Sequence, residues 1–202
     1  LRGPRGGIIM MGKDFKNPWG KKAPKSGRVK MVSELLDASV MPGAQGGPLM
    51  HVIAAKAVAF GEALKPEFRI YTEKIVENAK TMGNESLKLD YDLVSGGTDT
   101  HVLLIDLTNK SINGKKAENI LGKAGIHLNK NMVPFDTKSP FITSGIRIGT
   151  PAITTRGMGE PEMIQIVNWI DKIISDPDNE KLCSDILLDV NDLCSKFPIY
   201  KH

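Results

Sequence analysis

The chain has 202 residues, 41% of them apolar and 5% aromatic, which is enough to bury a core in one or two domains. Two cysteines cannot build a disulfide scaffold, so a reducing, cytoplasmic setting is expected; the longest apolar stretch, 52–60, is broken by Lys56 and is too short to span a bilayer. The net charge of +4 is local: residues 1–30 hold nine bases against Asp14, while the remainder has 18 bases and 22 acids, so the balance does not indicate a nucleic-acid binder.

In chain order, Ile8-Ile9-Met10-Met11 between glycines predicts a short buried strand. A Gly/Pro/Lys-rich basic segment follows, 13–28, with only Phe15 and Trp19 as aromatics; a solvated loop is expected rather than a base-stacking surface. Lys30 to Leu36 alternates weakly and fits a short helix. Met41-Pro-Gly-Ala-Gln-Gly-Gly-Pro48 is a rigid loop opening into a helix over Leu49–Leu64, whose alanines at 54, 55, 57, 59 and 63 suit close approach to another backbone. Phe68, Tyr71, Ile75 and Ala79, spaced by three and four, predict an amphipathic helix running from near Pro66 to about Ser86.

After Asp90 the pattern changes. Tyr91–Ser95 and Thr100–Leu107 flank Gly96-Gly97-Thr98-Asp99 as a hairpin. Asn113 is placed to cap a helix reaching Lys123, with Gly125 ending it. Short strands are expected at 126–131 and 144–148, and amphipathic helices at Glu160–Ser175 and Leu182–Cys194. Helices mixed with hairpin strands indicate an α+β domain, with a boundary near residues 64–66.

Few residues carry a metal or nucleophile pattern. Cys183 and Cys194 lie about three turns apart on one helix face and read as buried structural thiols. The histidines have no metal-ligand spacing, although His51 follows the glycine loop closely. Two segments stand out. Gly46-Gly47 immediately before a helix suits a phosphate or carboxylate through backbone N–H groups, or is simply a tight turn. Arg147, between Ile146 and Ile148 on a short strand, points to the face opposite them; there it either forks a carboxylate or forms a structural ion pair.

The segments Leu1-Arg-Gly-Pro-Arg-Gly-Gly7, Pro42-Gly-Ala-Gln-Gly-Gly-Pro-Leu-Met-His51, Val94-Ser-Gly-Gly-Thr-Asp-Thr-His101, Asn129-Lys-Asn131 with Pro134, Ser139-Pro-Phe-Ile-Thr-Ser-Gly-Ile-Arg-Ile-Gly-Thr-Pro-Ala152 and Thr155-Arg-Gly157 together resemble serine hydroxymethyltransferase, in the family's order. The resemblance implies a partial α/β fold of the fold-type-I pyridoxal-phosphate class. Residues 1–64, with the basic loop 13–28 as an insertion, would complete the large cofactor domain, and 65–202 would form the small C-terminal α+β domain. It implies transfer of a one-carbon unit between serine and tetrahydrofolate, giving glycine and 5,10-methylenetetrahydrofolate, with pyridoxal 5'-phosphate as cofactor.

By that resemblance Gly46 and Gly47 contact the cofactor phosphate of the neighbouring subunit, Arg5 helps shape the cofactor pocket, Arg147 clamps the amino-acid carboxylate, and Asn131 and Ser139 contact the folate. The Schiff-base lysine of the family stands just before the segment matching Leu1, so the chain reads as a C-terminal half that is inactive alone, and no catalytic residue is assigned within it. A homodimer or dimer of dimers is implied, with no metal, nucleic acid or membrane as partner. Met41 departs from the phenylalanine common before Pro-Gly. A non-catalytic binding or assembly module, or a threonine aldolase-like enzyme, are the alternatives; the Asn129-Lys-Asn131 folate segment argues against the latter.

Overall fold

A computed structural model describes residues 1–200. The chain divides into two compact units, Leu1–Lys65 and the residues from Pro66 on.

In the first unit, helix α1 spans Val32–Ala38 and a widened helical turn, Ser39–Ala44, follows it. Helix α2 spans Met50–Ala63. The basic segment is an ordered excursion held by Asn17. The Asn17 Nδ2 donates to the carbonyls of Lys21 (2.9 Å) and Lys30 (2.7 Å), while its Oδ1 accepts from the Lys21 N–H (2.9 Å). Antiparallel bridges Lys16–Met31 and Lys22–Val29 close it. Its lysines at 16, 21, 22 and 25 are exposed, as a solvated loop requires. Arg28 forks Glu34 at 2.9 and 2.8 Å, and Glu34 also accepts from the Met31 N–H at 2.7 Å.

The strand expected at Ile8–Met11 is not formed. The segment is irregular, with Ile8 77% and Met10 80% exposed. An apolar run makes a strand only when a sheet edge receives it, and among the described residues this unit offers none. The N-terminal segment instead lies antiparallel to α2: a Cβ on Gly3 would stand 2.7 Å from the Ala59 Cβ, and one on Gly6 would strike the Lys56 side chain. Of the five alanines of α2, Ala59 alone among the described residues is buried.

The second unit is α+β. Its long helix α3, Pro66–Lys88, starts on proline, whose fixed φ suits a first helical position, and buries Ile75, Ala79 and Met82 at helical spacing. Strands β1 (Asp92–Leu93), β2 (Val102–Asp106), β3 (Asn129–Asn131) and β4 (Gly145–Gly149) form an antiparallel sheet in the order β1-β2-β4-β3. The register sets Leu104 and Asn129 beside Arg147, and Asn131 beside Gly145. Side chains alternate across the sheet, so Leu103, Ile105 and Ile146 enter the core while Arg147 stands on the other face.

The expected hairpin is shorter than its sequence suggests. Ser95 and Gly96 adopt φ of 66° and 69°, which turns the chain out of the sheet after Leu93. The strand expected at 126–131 likewise shrinks to β3.

Helices α4 (Gly114–Lys123), α5 (Pro151–Arg156), α6 (Glu160–Ser175) and α7 (Glu180–Lys196) complete the unit. The core joins Met82 of α3, Leu121 of α4, Met163, Val167 and Ile173 of α6, and Ile186 of α7 to the sheet residues. Asn113 caps α4, its Oδ1 accepting from the Lys116 N–H at 2.8 Å. Asn113→Ala should cost about 1 kcal/mol, read as a melting-point drop of about 3 °C, because a helix N–H then loses its acceptor.

Helix α7 begins earlier than expected because Asn179 caps it, accepting from the Leu182 N–H at 3.0 Å. Cys183 and Cys194 do share a face of α7, but they are half-buried rather than buried. The stripe Ile186, Val190 and Leu193 faces the core and leaves the thiols at its flank.

Helix α5 was not anticipated. Its signal is nonetheless present: proline at its first position and Gly157 (φ 100°) at its end. Thr150, just before it, is fully buried and donates its hydroxyl to the Ile75 carbonyl at 2.8 Å. Asn78 of α3 donates to the Thr154 hydroxyl at 2.9 Å and to the Met158 carbonyl at 3.1 Å, fixing α5 against α3. Arg156 donates to the Phe197 and Cys194 carbonyls at 2.7 and 2.8 Å, a cation at the C-terminal end of α7.

Candidate functional site

The candidate residues fall into two groups, one in each unit. In Leu1–Lys65, Gly46 and Gly47 are exposed in the loop between the Ser39–Ala44 turn and α2. A Cβ on either would meet nothing within 4 Å. Among the described residues no acceptor takes their N–H groups, whereas the neighbouring Gln45 N–H donates to the Val40 carbonyl at 2.7 Å. Two open N–H groups ahead of a 14-residue helix form a place where an anion can be held by backbone alone. Arg5 lies exposed in the segment that runs along α2.

In the second unit the sheet face opposite the core carries the candidates. Arg147 is exposed at the middle of β4, between buried Ile146 and half-buried Ile148. Gly145 and Gly149 bracket it on the same face, so no side chain of β4 crowds the guanidinium. Leu104 and Asn129 stand across from it on β2 and β3. Asn131 is half-buried on the same face, one pair along, and its Nδ2 donates to the Met132 carbonyl at 2.7 Å. The sheet therefore brings Arg147 and Asn131 to one surface: a fork of N–H donors with an amide nearby.

Ser139 is exposed in the segment joining β3 to β4, and its carbonyl accepts from the Ile142 and Thr143 N–H groups, each at 3.0 Å. The segment's organiser is Asp136, which the sequence reading did not single out. It accepts from the Ser144 N–H (2.8 Å), the Ser144 hydroxyl (2.8 Å), the Lys138 N–H (2.9 Å) and the Val133 N–H (3.3 Å). These donors, led by the Lys138 N–H, hold its carboxyl at about 2, below the ordinary 3.8. An Asp whose side chain receives the N–H two residues on is the available sequence signal, at Asp136-Thr137-Lys138.

The sign of this shift fixes a pH response. A carboxyl lowered in the folded state stabilises it above the ordinary value, and that contribution is lost as pH falls from about 4 to about 2. Hydrogen exchange of the Ser144 and Lys138 amides should accelerate through that window beyond the intrinsic trend and stay protected from pH 5 to 7.

A cavity of about 350 Å3 lies where α4, α6 and α7 meet, lined by Ile120, Lys123, Asp176 and Cys183 among others. It contains none of the candidate residues. Among the described residues no group of three His, Cys, Asp or Glu could hold a metal, and no helix is long and apolar enough to cross a membrane.

Comparison with known proteins gives these positions a context. A family model described as serine hydroxymethyltransferase matches residues 1–170. The chain is 56% identical over 204 residues to a serine hydroxymethyltransferase of Chlorobium phaeovibrioides (strain DSM 265 / 1930), covering 98% of this chain and 46% of the relative. It thus spans about half the length of the curated relative it matches. With the match running through Gly46, Gly47, Asn131, Ser139 and Arg147, the chain belongs to the serine hydroxymethyltransferase family, and its fold is part of that family's fold-type-I α/β architecture.

Proposed function

We propose that this chain is part of a cytoplasmic, pyridoxal-phosphate-dependent serine hydroxymethyltransferase that exchanges a one-carbon unit between serine and tetrahydrofolate, working as a homodimer or dimer of dimers. The observation that carries the reading is the exposed Arg147, set between glycines on the sheet face that also bears Asn131. Residues up to about 64 belong, on this reading, to the large cofactor domain, and the rest form the small domain.

The residues present fit the cofactor's phosphate. Gly46 and Gly47 offer N–H groups with no acceptor among the described residues and no side chain in the way. Pyridoxal phosphate, when bound, supplies the electron sink that makes bonds at the amino-acid Cα labile. The Gly46 and Gly47 N–H groups would hold the phosphate of the cofactor bound by the neighbouring subunit, an anion that backbone donors and the α2 dipole stabilise without a counter-charge. Arg5 would help shape the cofactor pocket.

Arg147 donates two parallel hydrogen bonds to the substrate carboxylate, which fixes where that group lies and so restrains rotation about the Cα–N bond. That orientation selects which bond at Cα is aligned for cleavage, a contribution of several kcal/mol to the barrier. Asn131 and Ser139 present an amide and a hydroxyl to the folate, which accepts the carbon. Arg147 and Asn131 share one face, so the amino acid and the folate are received side by side.

The full-length enzyme should move the side-chain carbon of isotopically labelled serine onto tetrahydrofolate, and Asn131→Ala should weaken folate binding about tenfold with serine affinity unchanged. A polypeptide of these 202 residues alone should not transfer the carbon, since none of its lysines stands in a Thr-His-Lys-Thr segment. Folate binding without any transfer would favour the non-catalytic module. Transfer with unchanged folate affinity in Asn131→Ala would remove that residue from the site.

A further inference from the structure

The segment between β3 and β4 is built around a single carboxylate. Asp136 Oδ2 accepts from the Ser144 N–H at 2.8 Å and the Val133 N–H at 3.3 Å; Oδ1 accepts from the Lys138 N–H at 2.9 Å and the Ser144 hydroxyl at 2.8 Å. Val133 lies two residues beyond Asn131, Lys138 adjoins Ser139, and Ser144 immediately precedes β4, the strand of Arg147. The far side of the segment is fixed separately. The Ser139 carbonyl holds the Ile142 and Thr143 N–H groups, and the Ile142 and Thr143 carbonyls accept from Lys115 and Gly114 at the start of α4, at 2.9 and 3.0 Å. Ser139 is therefore exposed on a segment whose two ends and middle are all tied down.

Four donors converge on Asp136, and three of them are backbone N–H groups that cannot reverse. An ionised carboxylate is acceptor-only and takes all four. An asparagine cannot: in either amide orientation its NH2 faces at least one of those N–H groups, and that bond is lost and replaced by a repulsion. The chemistry of the site thus requires the acid rather than a polar residue of the same shape.

We propose that Asp136 is a positioning residue for folate binding: its carboxylate sets the loop that presents Ser139 and locks it to the end of β3 that carries Asn131. The proposal rests on the folate reading of Asn131 and Ser139 given above. Asp136 does not touch the ligand; it acts through the loop.

The test uses the full-length, cofactor-loaded enzyme and its Asp136→Asn, Ser144→Ala, Asn131→Ala and Ser139→Ala variants. Calorimetry measures 5-formyltetrahydrofolate binding in the presence of glycine, steady-state kinetics give the serine KM, and hydrogen exchange reports the Lys138 and Ser144 amides. Asp136→Asn should weaken folate binding about tenfold and Ser144→Ala, which loses one bond of the four, about threefold, with the serine KM within about twofold of the parent. The two amides should exchange faster in Asp136→Asn. A lesion that merely loosens the fold would raise the serine KM alongside, and that result overturns the proposal. So does unchanged folate affinity in Asp136→Asn, or in Ser144→Ala if Asp136→Asn does not fold, while Asn131→Ala and Ser139→Ala weaken it. Unchanged affinity in both Asn131→Ala and Ser139→Ala instead removes the folate reading itself.

Discussion

Arg147→Ala in the full-length enzyme should lower serine affinity by about 100-fold or more while cofactor binding persists. A bidentate, charge-assisted contact is among the stronger single interactions available to a small ligand, and 100-fold corresponds to about 2.7 kcal/mol. The structure separates this loss from a folding defect. Arg147 is exposed on the sheet face opposite the core, and neither a hydrogen bond nor an ion pair to its guanidinium is found among the described residues, so truncation should leave the sheet intact. Arg147→Lys should recover only part of the affinity, since an ammonium is a point charge without the planar fork. Titration with serine, followed by cofactor absorbance, measures both properties in one sample. Normal serine binding in Arg147→Ala would show that the carboxylate is held elsewhere.

A large stability loss should come from Gly145→Ala. β4 lies between β2 and β3, and a Cβ at Gly145 would stand 2.7 Å from the Ile105 carbonyl oxygen, 2.7 Å from the Val133 Cγ1 and 3.2 Å from the Asn131 carbonyl oxygen. Two of those atoms are backbone on opposite sides, so relief in one direction worsens the other. The expected cost is about 3 kcal/mol, the upper end of overpacking. Gly122→Ala in α4 is the control: a Cβ there meets nothing within 4 Å, and the change should be neutral or stabilising by about 0.5–1 kcal/mol. Urea unfolding midpoints compare the two. A Gly145→Ala midpoint equal to the parent's would mean the strands separate more easily than this register implies.

Some elements were legible because local signals and packing agree. Helix α6 spans the residues that the recurrence of Met163, Val167, Ile170 and Ile174 marks out, and Asn113 caps α4 as its residue type suggests. The orientation of Arg147 follows from strand alternation alone. Other elements depend on partners that no local window contains. Ile8–Met11 has the composition of a strand but no edge to join. The hairpin was cut short by the left-handed conformation of Ser95, which a serine does not advertise. Helix α5 is too short for periodicity and is held by Asn78 and by Thr150 contacts made across more than 70 residues of sequence. Asp136 escaped for the same reason: its Asx turn is local, but two of its four bonds reach to Ser144, which only the folded loop brings near.

The alternation along β4 has an evolutionary reading. Ile146 is sealed in the core, Arg147 faces outward, and Ile148 is again turned inward. Adjacent codons are thus judged by different criteria. In a saturation library of this strand, variants at 146 and 148 should be depleted from the soluble fraction, whereas variants at 147 should remain abundant yet fail to support growth on serine-derived one-carbon units. Three neighbouring positions would then sort by two unrelated phenotypes, one set by folding and one by ligand binding.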